Sequence, residues 1–222
     1  MQYDIAIQKT ALDHQFFKNP VHNSTVFLFY KRAFDIITSL MLLPVLVAIC
    51  IIAAVLNAFF NRGTLFFTQD RVGINNQVFQ IYKLRTMQGS SEAGNSRITS
   101  LGQFMRDIHI DELPQIINVL IGDMSLIGPR PEQPVFFKNY AASIQNFALR
   151  QSVRPGISGL AQLYYGYTDC PIGAQKKLKW DLEYIRRQGF GMDSHIYLRT
   201  YSYVFPRISK RLIGLVKPVR DS

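Results

Sequence analysis

Two consecutive carboxylates, Asp111-Glu112, precede Leu113-Pro114-Gln115, and Gly122-Asp123-Met124-Ser125-Leu126-Ile127-Gly128-Pro129-Arg130-Pro131 follows close behind. Acids at a helix start, with a Gly/Pro-punctuated loop that ends on an arginine, have the makings of a phosphate-handling site. Leu101, Phe104, Met105 and Ile108 keep helical spacing, as do Leu113, Ile116, Ile117 and Leu120, so the acidic pair falls in the break between two amphipathic helices. Asp111 there also reads as a helix N-cap. With Pro114 as the third helical residue, one of the two usual capping bonds lacks its N–H. Capping and chemistry are compatible, because the positive end of a helix dipole would keep Asp111 ionised and draw a phosphate towards it. Gly122 ends the helix.

A second group of cations lies upstream. Leu65–Gln69 and Gln77–Arg85 read as two strands joined by a turn at Gly73-Ile74-Asn75-Asn76, which predicts a hairpin. Lys83 and Arg85 then project from one face, either as a two-cation site for a diphosphate or as charges protecting a solvated edge strand. Residues 88–97 read as a flexible polar loop beside them.

The remaining chain must position these residues. At 222 residues with a formal net charge of +10, one compact unit with an anionic partner is expected: nucleic acid, acidic lipid or a phosphorylated small molecule. Two cysteines, Cys50 and Cys170, provide neither a disulfide framework nor a multi-cysteine zinc site, and the four histidines lack zinc-ligand spacing. Residues 1–30 read as a cytosolic lead-in without signal-peptide character. Ile36 to Phe60 is apolar except for Thr38, Ser39, Pro44 and Asn57. As a straight helix it would measure about 37 Å, enough to enter a bilayer. Pro44 predicts a bend, and Lys31 and Arg32 before the run with Arg62 and Arg71 after it favour neither orientation of a simple span. A helix that enters, bends and returns keeps both basic ends on one side, and with no polar face evident, a buried soluble helix is the weaker reading. Val135 to Val153 and Ala174 to Gln188 read as helices, Arg154 to Tyr167 as a Gly/Pro loop followed by tyrosines, and 195–222 as a basic amphipathic tail suited to an anionic membrane surface.

Several ordered blocks resemble a known family: Lys31-Arg32-x-Phe34-Asp35; Phe67-x-Gln69-x-Arg71-x-Gly73; Lys83-Leu84-Arg85-Thr86-Met87; Asp111-Glu112-Leu113-Pro114-Gln115; Asn118 through Pro131; and Arg154-Pro155-Gly156-Ile157-x-Gly159-x-Ala161-Gln162. Over residues 31–205 the chain resembles the bacterial sugar transferases, the monotopic polyprenyl-phosphate phosphoglycosyl transferases. The resemblance implies an α/β catalytic domain (α+β-type, helix-rich) facing the cytoplasm from the bacterial inner membrane, with an N-terminal re-entrant membrane helix bent at Pro44 and amphipathic interfacial helices. Its parts would be a lead-in at 1–30, a membrane-inserted segment at 31–61, a catalytic domain at 62–205 and a basic tail at 206–222. Lys31, Arg32 and Asp35 would anchor the interface.

The reaction so implied passes a sugar-1-phosphate from a UDP-sugar to polyprenyl (undecaprenyl) phosphate and releases UMP. Asp111 would be the nucleophile and Glu112 the ligand of Mg²⁺, while Lys83, Arg85, Arg106, Gln115, Pro129, Arg130, Pro131 and Gln162 would handle nucleotide sugar and phosphate. A carboxylate attacking phosphorus beside a metal and arginines is consistent chemistry. Expected partners are the donor, the lipid acceptor and membrane lipids, not nucleic acid; a homodimer is left open. Leu43 stands before Pro44 where many members have serine, and no Gly-Arg step follows Ala161-Gln162, so the sugar does not transfer by resemblance. Two alternatives remain: direct displacement with Asp111 as base, and a non-catalytic, membrane-anchored basic binding module, for which no helix-turn-helix or RNA-binding signature is present.

Overall fold

The computed structural model describes residues 25–60, 63–88, 97–165, 171–212 and 214; the lead-in up to residue 24, most of the polar loop (89–96) and the end of the tail lie outside them. The chain is a helix-rich α+β structure. Helix α1, Thr25–Phe60, runs on through Pro44 and is long and apolar enough to cross a membrane. Phe27, Asp35, Ser39, Leu46, Ala53 and Asn57 are buried, and their spacing by four, seven or eight places them on one stripe. Phe34, Ile37, Met41, Val45, Ile52 and Val55 remain exposed elsewhere on the helix. Asp35, just before the run, accepts from the Leu126 amide at 3.1 Å, and Asn57, near its end, donates to the Gly63 carbonyl at 2.9 Å. Its polar residues are too sparse to read as a face, yet they fall on the side that meets the protein.

The predicted hairpin forms. Strands β1, Phe66–Val72, and β2, Val78–Leu84, pair antiparallel from Phe66↔Leu84 to Val72↔Val78. Asn75 and Asn76, at φ 53° and 60°, turn the chain between them, in a conformation asparagine tolerates. The short strands β3, Met87–Gln88, and β4, Arg97–Ile98, form a second ladder. Helix α2, Ser100–Asp107, starts on Thr99, whose hydroxyl accepts from the Gly102 amide at 3.0 Å. After a 3₁₀ turn at Ile110–Glu112 comes α3, Gln115–Ile121, ended by Gly122 at φ 102°.

Asn118, fully buried on α3, binds β2 as a neighbouring strand would: Oδ1 accepts from the Tyr82 amide at 3.1 Å and Nδ2 donates to the Gln80 carbonyl at 2.7 Å. Ile81, Val119, Met124, Leu126, Tyr184 and Ile196 form the main core above this contact. A smaller cluster joins Ala53 of α1 to Leu84 and Met105, with Ile49 and Cys50 against it.

Two segments read as loops form a parallel ladder, β5 (Ser125–Ile127) with β6 (Gly156–Ser158). Glycine makes their approach possible, since a Cβ on Gly156 would fall 2.0 Å from the Gly128 nitrogen. The helix expected over Val135 to Val153 is two pieces, α4 at Pro134–Ser143 and a 3₁₀ helix at Phe147–Ser152, divided where Asn146 takes φ 63°. Helices α5, Leu160–Tyr164, α6, Pro171–Arg187, and α7, Phe190–Leu212, complete the described chain, and α7 exposes Tyr197, Leu198, Tyr201 and Phe205.

Helix α2 lies so close to the end of the hairpin that a Cβ on Gly102 would sit 1.9 Å from the Thr86 carbonyl oxygen. Gly102→Ala is therefore expected to lower stability by about 1–3 kcal/mol through backbone displacement, read as a fall in the thermal midpoint; an unchanged midpoint contradicts the contact.

Candidate active site

The chain reaches Asp111 through a sharp reversal. His109 takes φ 58°, and the Ile110–Glu112 turn leads into α3, with Leu113 N–H bonded to the Ile110 carbonyl and Ile116 N–H to that of Leu113. Pro114 occupies the cap position and contributes no side-chain bond, so Asp111 is not the N-cap. The acidic turn continues into the helix, and the amides a cap would serve already have backbone partners.

The two carboxylates meet different surroundings. Glu112 receives Lys83 Nζ at 2.7 Å and Arg130 through both terminal nitrogens, Nη1 reaching Oε2 at 3.1 Å and Nη2 reaching Oε1. Burial alone would raise its pKa, but Arg130 and then Lys83 outweigh this and hold it well below the usual carboxylate range. Asp111, 7% exposed, is in no ion pair among the described residues. Burial and then the Glu112 charge raise it to about 6, against the weaker pull of Lys83 and Arg106. The N-cap position expected for Asp111 belongs instead to Pro114, and the Glu112 charge works against ionisation of Asp111. At neutral pH it is still mostly ionised and uncommitted.

Around this pair the expected residues separate into groups. Lys83 and Arg130 converge on Glu112. Arg106 lies near enough to act on Asp111 and is held by an Nε bond of 2.9 Å to the Thr86 hydroxyl. Gln115 is 1% exposed, and its Nε2 has no partner among the described residues, leaving an idle donor four residues from Asp111. Arg85 does not join Lys83 at Glu112; it bonds the Met87 carbonyl at 3.1 Å and the Thr64 hydroxyl at 3.1 Å. Gln162 donates to the Ile157 carbonyl at 3.2 Å beside β6. Lys31 donates to the Ile127 carbonyl at 3.0 Å and Asp193 at 2.6 Å, and Arg32 to the Val119 and Leu120 carbonyls at 2.6 and 3.0 Å. With Asp35, they fasten α1 to the body.

Sequence reasoning did not single out Asn118, Thr86 or Arg150 for a role. Arg150 is 4% exposed, beside Phe147 and Leu149, and a lone cation inside an apolar segment was its only signal. Among the described residues no three His, Cys, Asp or Glu side chains gather as a metal site. The arrangement suits chemistry that needs one free carboxylate with a moderately raised pKa beside a second, permanently charged one.

Asp111 also weakens the fold. Its folded pKa of about 6 exceeds the ordinary 3.8, so the folded state binds the proton more tightly. Stability is greatest below the lower value and declines as pH rises through the upper one. Asp111→Asn is expected to raise stability at pH 7.5 by on the order of 1–3 kcal/mol, with the gain fading below about pH 4. Thermal unfolding across that range checks it.

Comparison with known proteins places the chain in a family. Residues 26–207 match the family described as bacterial sugar transferase. The chain is 39% identical, over 80% of its length, to a UDP-N-acetylgalactosamine-undecaprenyl-phosphate N-acetylgalactosaminephosphotransferase of Aeromonas hydrophila, spanning 44% of that protein, less than half its length. It is 36% identical over 77% of its length to a UDP-glucose:undecaprenyl-phosphate glucose-1-phosphate transferase of Caulobacter vibrioides, covering 67% of it. An exopolysaccharide production protein of Rhizobium leguminosarum is 34% identical over 78% of this chain and 94% of its own. With a match running from the start of α1 into α7, the chain belongs to the bacterial sugar transferase family.

Proposed function

We propose that the chain transfers a sugar-1-phosphate from a UDP-sugar to undecaprenyl phosphate on the cytoplasmic face of the bacterial inner membrane, an opening step of surface polysaccharide or glycoconjugate assembly. One observation carries the mechanism: Asp111 is buried, raised to about 6 and in no ion pair among the described residues, while Glu112 beside it is clamped by two cations. A nucleophile must be ionised yet weakly held, and Asp111 meets both conditions at neutral pH.

In the first step a carboxylate oxygen of Asp111 attacks the sugar-bearing phosphorus. The bond from that phosphorus to the bridging oxygen breaks, and UMP leaves with the electron pair. In the second, an oxygen of the lipid phosphate attacks the same phosphorus and expels the Asp111 carboxylate, giving the lipid diphosphate sugar. Lys83, Arg106 and Arg130 supply positive charge to the diphosphate and to the departing phosphate. Gln115 supplies an unused N–H donor.

The donors fit Mg²⁺ in kind, since it takes oxygen ligands, keeps waters and needs only one or two carboxylates alongside substrate phosphates. Glu112 would hold the ion: Lys83 and Arg130 take both sites on Oε1 and Arg130 one on Oε2, which leaves one acceptor site on Oε2. When bound, Mg²⁺ would neutralise charge on the transferred group.

The membrane arrangement proposed is re-entrant, with both ends of α1 on the cytoplasmic side. Helix α1 touches one body through Lys31 to Asp35 and again through Ile49 to Asn57. From Lys31 to Asn57, the outer ends of those contacts, a straight rise is about 39 Å, so a perpendicular span would draw that body into the roughly 30 Å hydrocarbon layer.

With purified protein, Asp111→Asn is expected to abolish UMP release from UDP-sugars, and wild-type rates are expected to fall as pH drops through about 6. Donor labelled at the sugar-bearing phosphate should leave label on the protein when lipid acceptor is omitted. Direct displacement, with Asp111 as base, predicts no labelled protein and no UMP without acceptor. For topology, single cysteines at Val26 and Thr64 in an otherwise cysteine-free chain should both resist an impermeant maleimide in intact cells and both react after lysis. Reaction of either in intact cells contradicts the re-entrant arrangement.

A further inference from the structure

Pro129-Arg130-Pro131 carries the guanidinium that grips Glu112 but cannot hold itself in place. Its prolines have no N–H, so the segment cannot join a regular ladder, and its carbonyls must find donors from elsewhere. The structure provides four in succession. Pro129 O accepts from Gly156 N–H at 3.0 Å, and Glu132 O accepts from Val72 N–H at 2.9 Å. Between them, Arg130 O accepts from Arg150 Nη2 at 2.9 Å and Pro131 O from Arg71 Nη1 at 2.9 Å. The carbonyls of Arg130 and Pro131 are therefore held by arginine side chains.

Arg150 is fixed in turn. It is 4% exposed, its Nε lies 2.7 Å from Asp181 of α6, its Nη1 lies 3.5 Å from Glu132, and its guanidinium sits 4.9 Å from the Phe147 ring centre. A buried arginine with a buried carboxylate partner is costly to retain for stability alone, since apolar replacements of such pairs are often neutral or better. Arg71 is oriented by Gln69, whose Oε1 accepts from its Nη2 at 2.7 Å.

We infer that Arg150, backed by Asp181, and Arg71 are positioning residues for the proposed transfer: they touch neither carboxylate of the acidic pair and act by fixing the backbone on which Arg130 reaches Glu112. This rests on the function proposed above. Lysine at either position keeps the charge but lacks the planar fork that serves a carbonyl and a second partner together.

The test is a double-mutant cycle on UMP release, with thermal unfolding followed on each purified protein. Arg150→Lys is expected to lower kcat/KM about tenfold or more in the otherwise wild-type chain but less than about threefold in an Arg130→Ala background, because the group it positions is already gone. Arg71→Lys, a smaller disturbance at a less buried site, is expected to behave alike, and carries the test should the Arg150 variant fail to fold. A purely structural role predicts the same proportional loss in both backgrounds, and that result overturns the inference. Arg130→Ala at wild-type rates would instead overturn the proposed site itself, so the two failures are distinguishable.

Discussion

Two adjacent carboxylates in one sheltered turn cannot both be kept charged by their own segment. Burial raises the proton affinity of both, and the Glu112 charge raises that of Asp111 further. The conflict is resolved unequally: Lys83 and Arg130 are spent on Glu112, and Asp111 bears the remaining cost as a raised pKa. Because the cations come from a hairpin and from a loop after α3, both must be brought to the turn with hydrogen-bond precision. Much of the fold serves that placement.

The hairpin is placed by Asn118. Docked along β2 in the manner of a strand, it fixes the register of α3 beside Tyr82, one residue from Lys83, while α3 carries the acidic turn at its other end. The loop is placed by the four donors to its carbonyls and by the close glycine contacts of β5 and β6. Helix α2 brings Arg106 through Gly102, since the absent Cβ admits the Thr86 backbone and Arg106, one turn on, meets the Thr86 hydroxyl.

Local patterns made much of this legible. The Gly-Ile-Asn-Asn turn and its flanking aromatics marked the hairpin, and apolar spacing marked α2 and α3 with the acidic pair between them. What escaped depends on contacts distant in sequence. No pattern near Asp111 separates a capping aspartate from a buried free one, because the difference lies in where Lys83 and Arg130 go. Arg85 shares a strand face with Lys83 by periodicity, yet β2 ends at Leu84, and beyond it Arg85 turns to Thr64 and Met87. The β5–β6 ladder escaped because three-residue strands among glycines and prolines carry no alternation to detect.

The long apolar helix α1 is tied to the same centre. Arg32 of α1 binds the Val119 and Leu120 carbonyls, and Arg154 binds that of Gly122, so cations from two elements cap the C-terminal end of α3. A seven-residue helix is only about 10 Å long, and its opposite end carries Asp111-Glu112. Fastening α1 at one end of so short and rigid a strut sets the height of the carboxylates relative to α1, and hence to the bilayer it is proposed to enter. In the proposed transfer the lipid phosphate is confined to the headgroup layer, so Asp111 would have to be fixed in depth as well as in geometry. Lys31, Arg32 and Asp35 meet that need by binding protein atoms, and the exposed apolar residues of α1 are left for lipid.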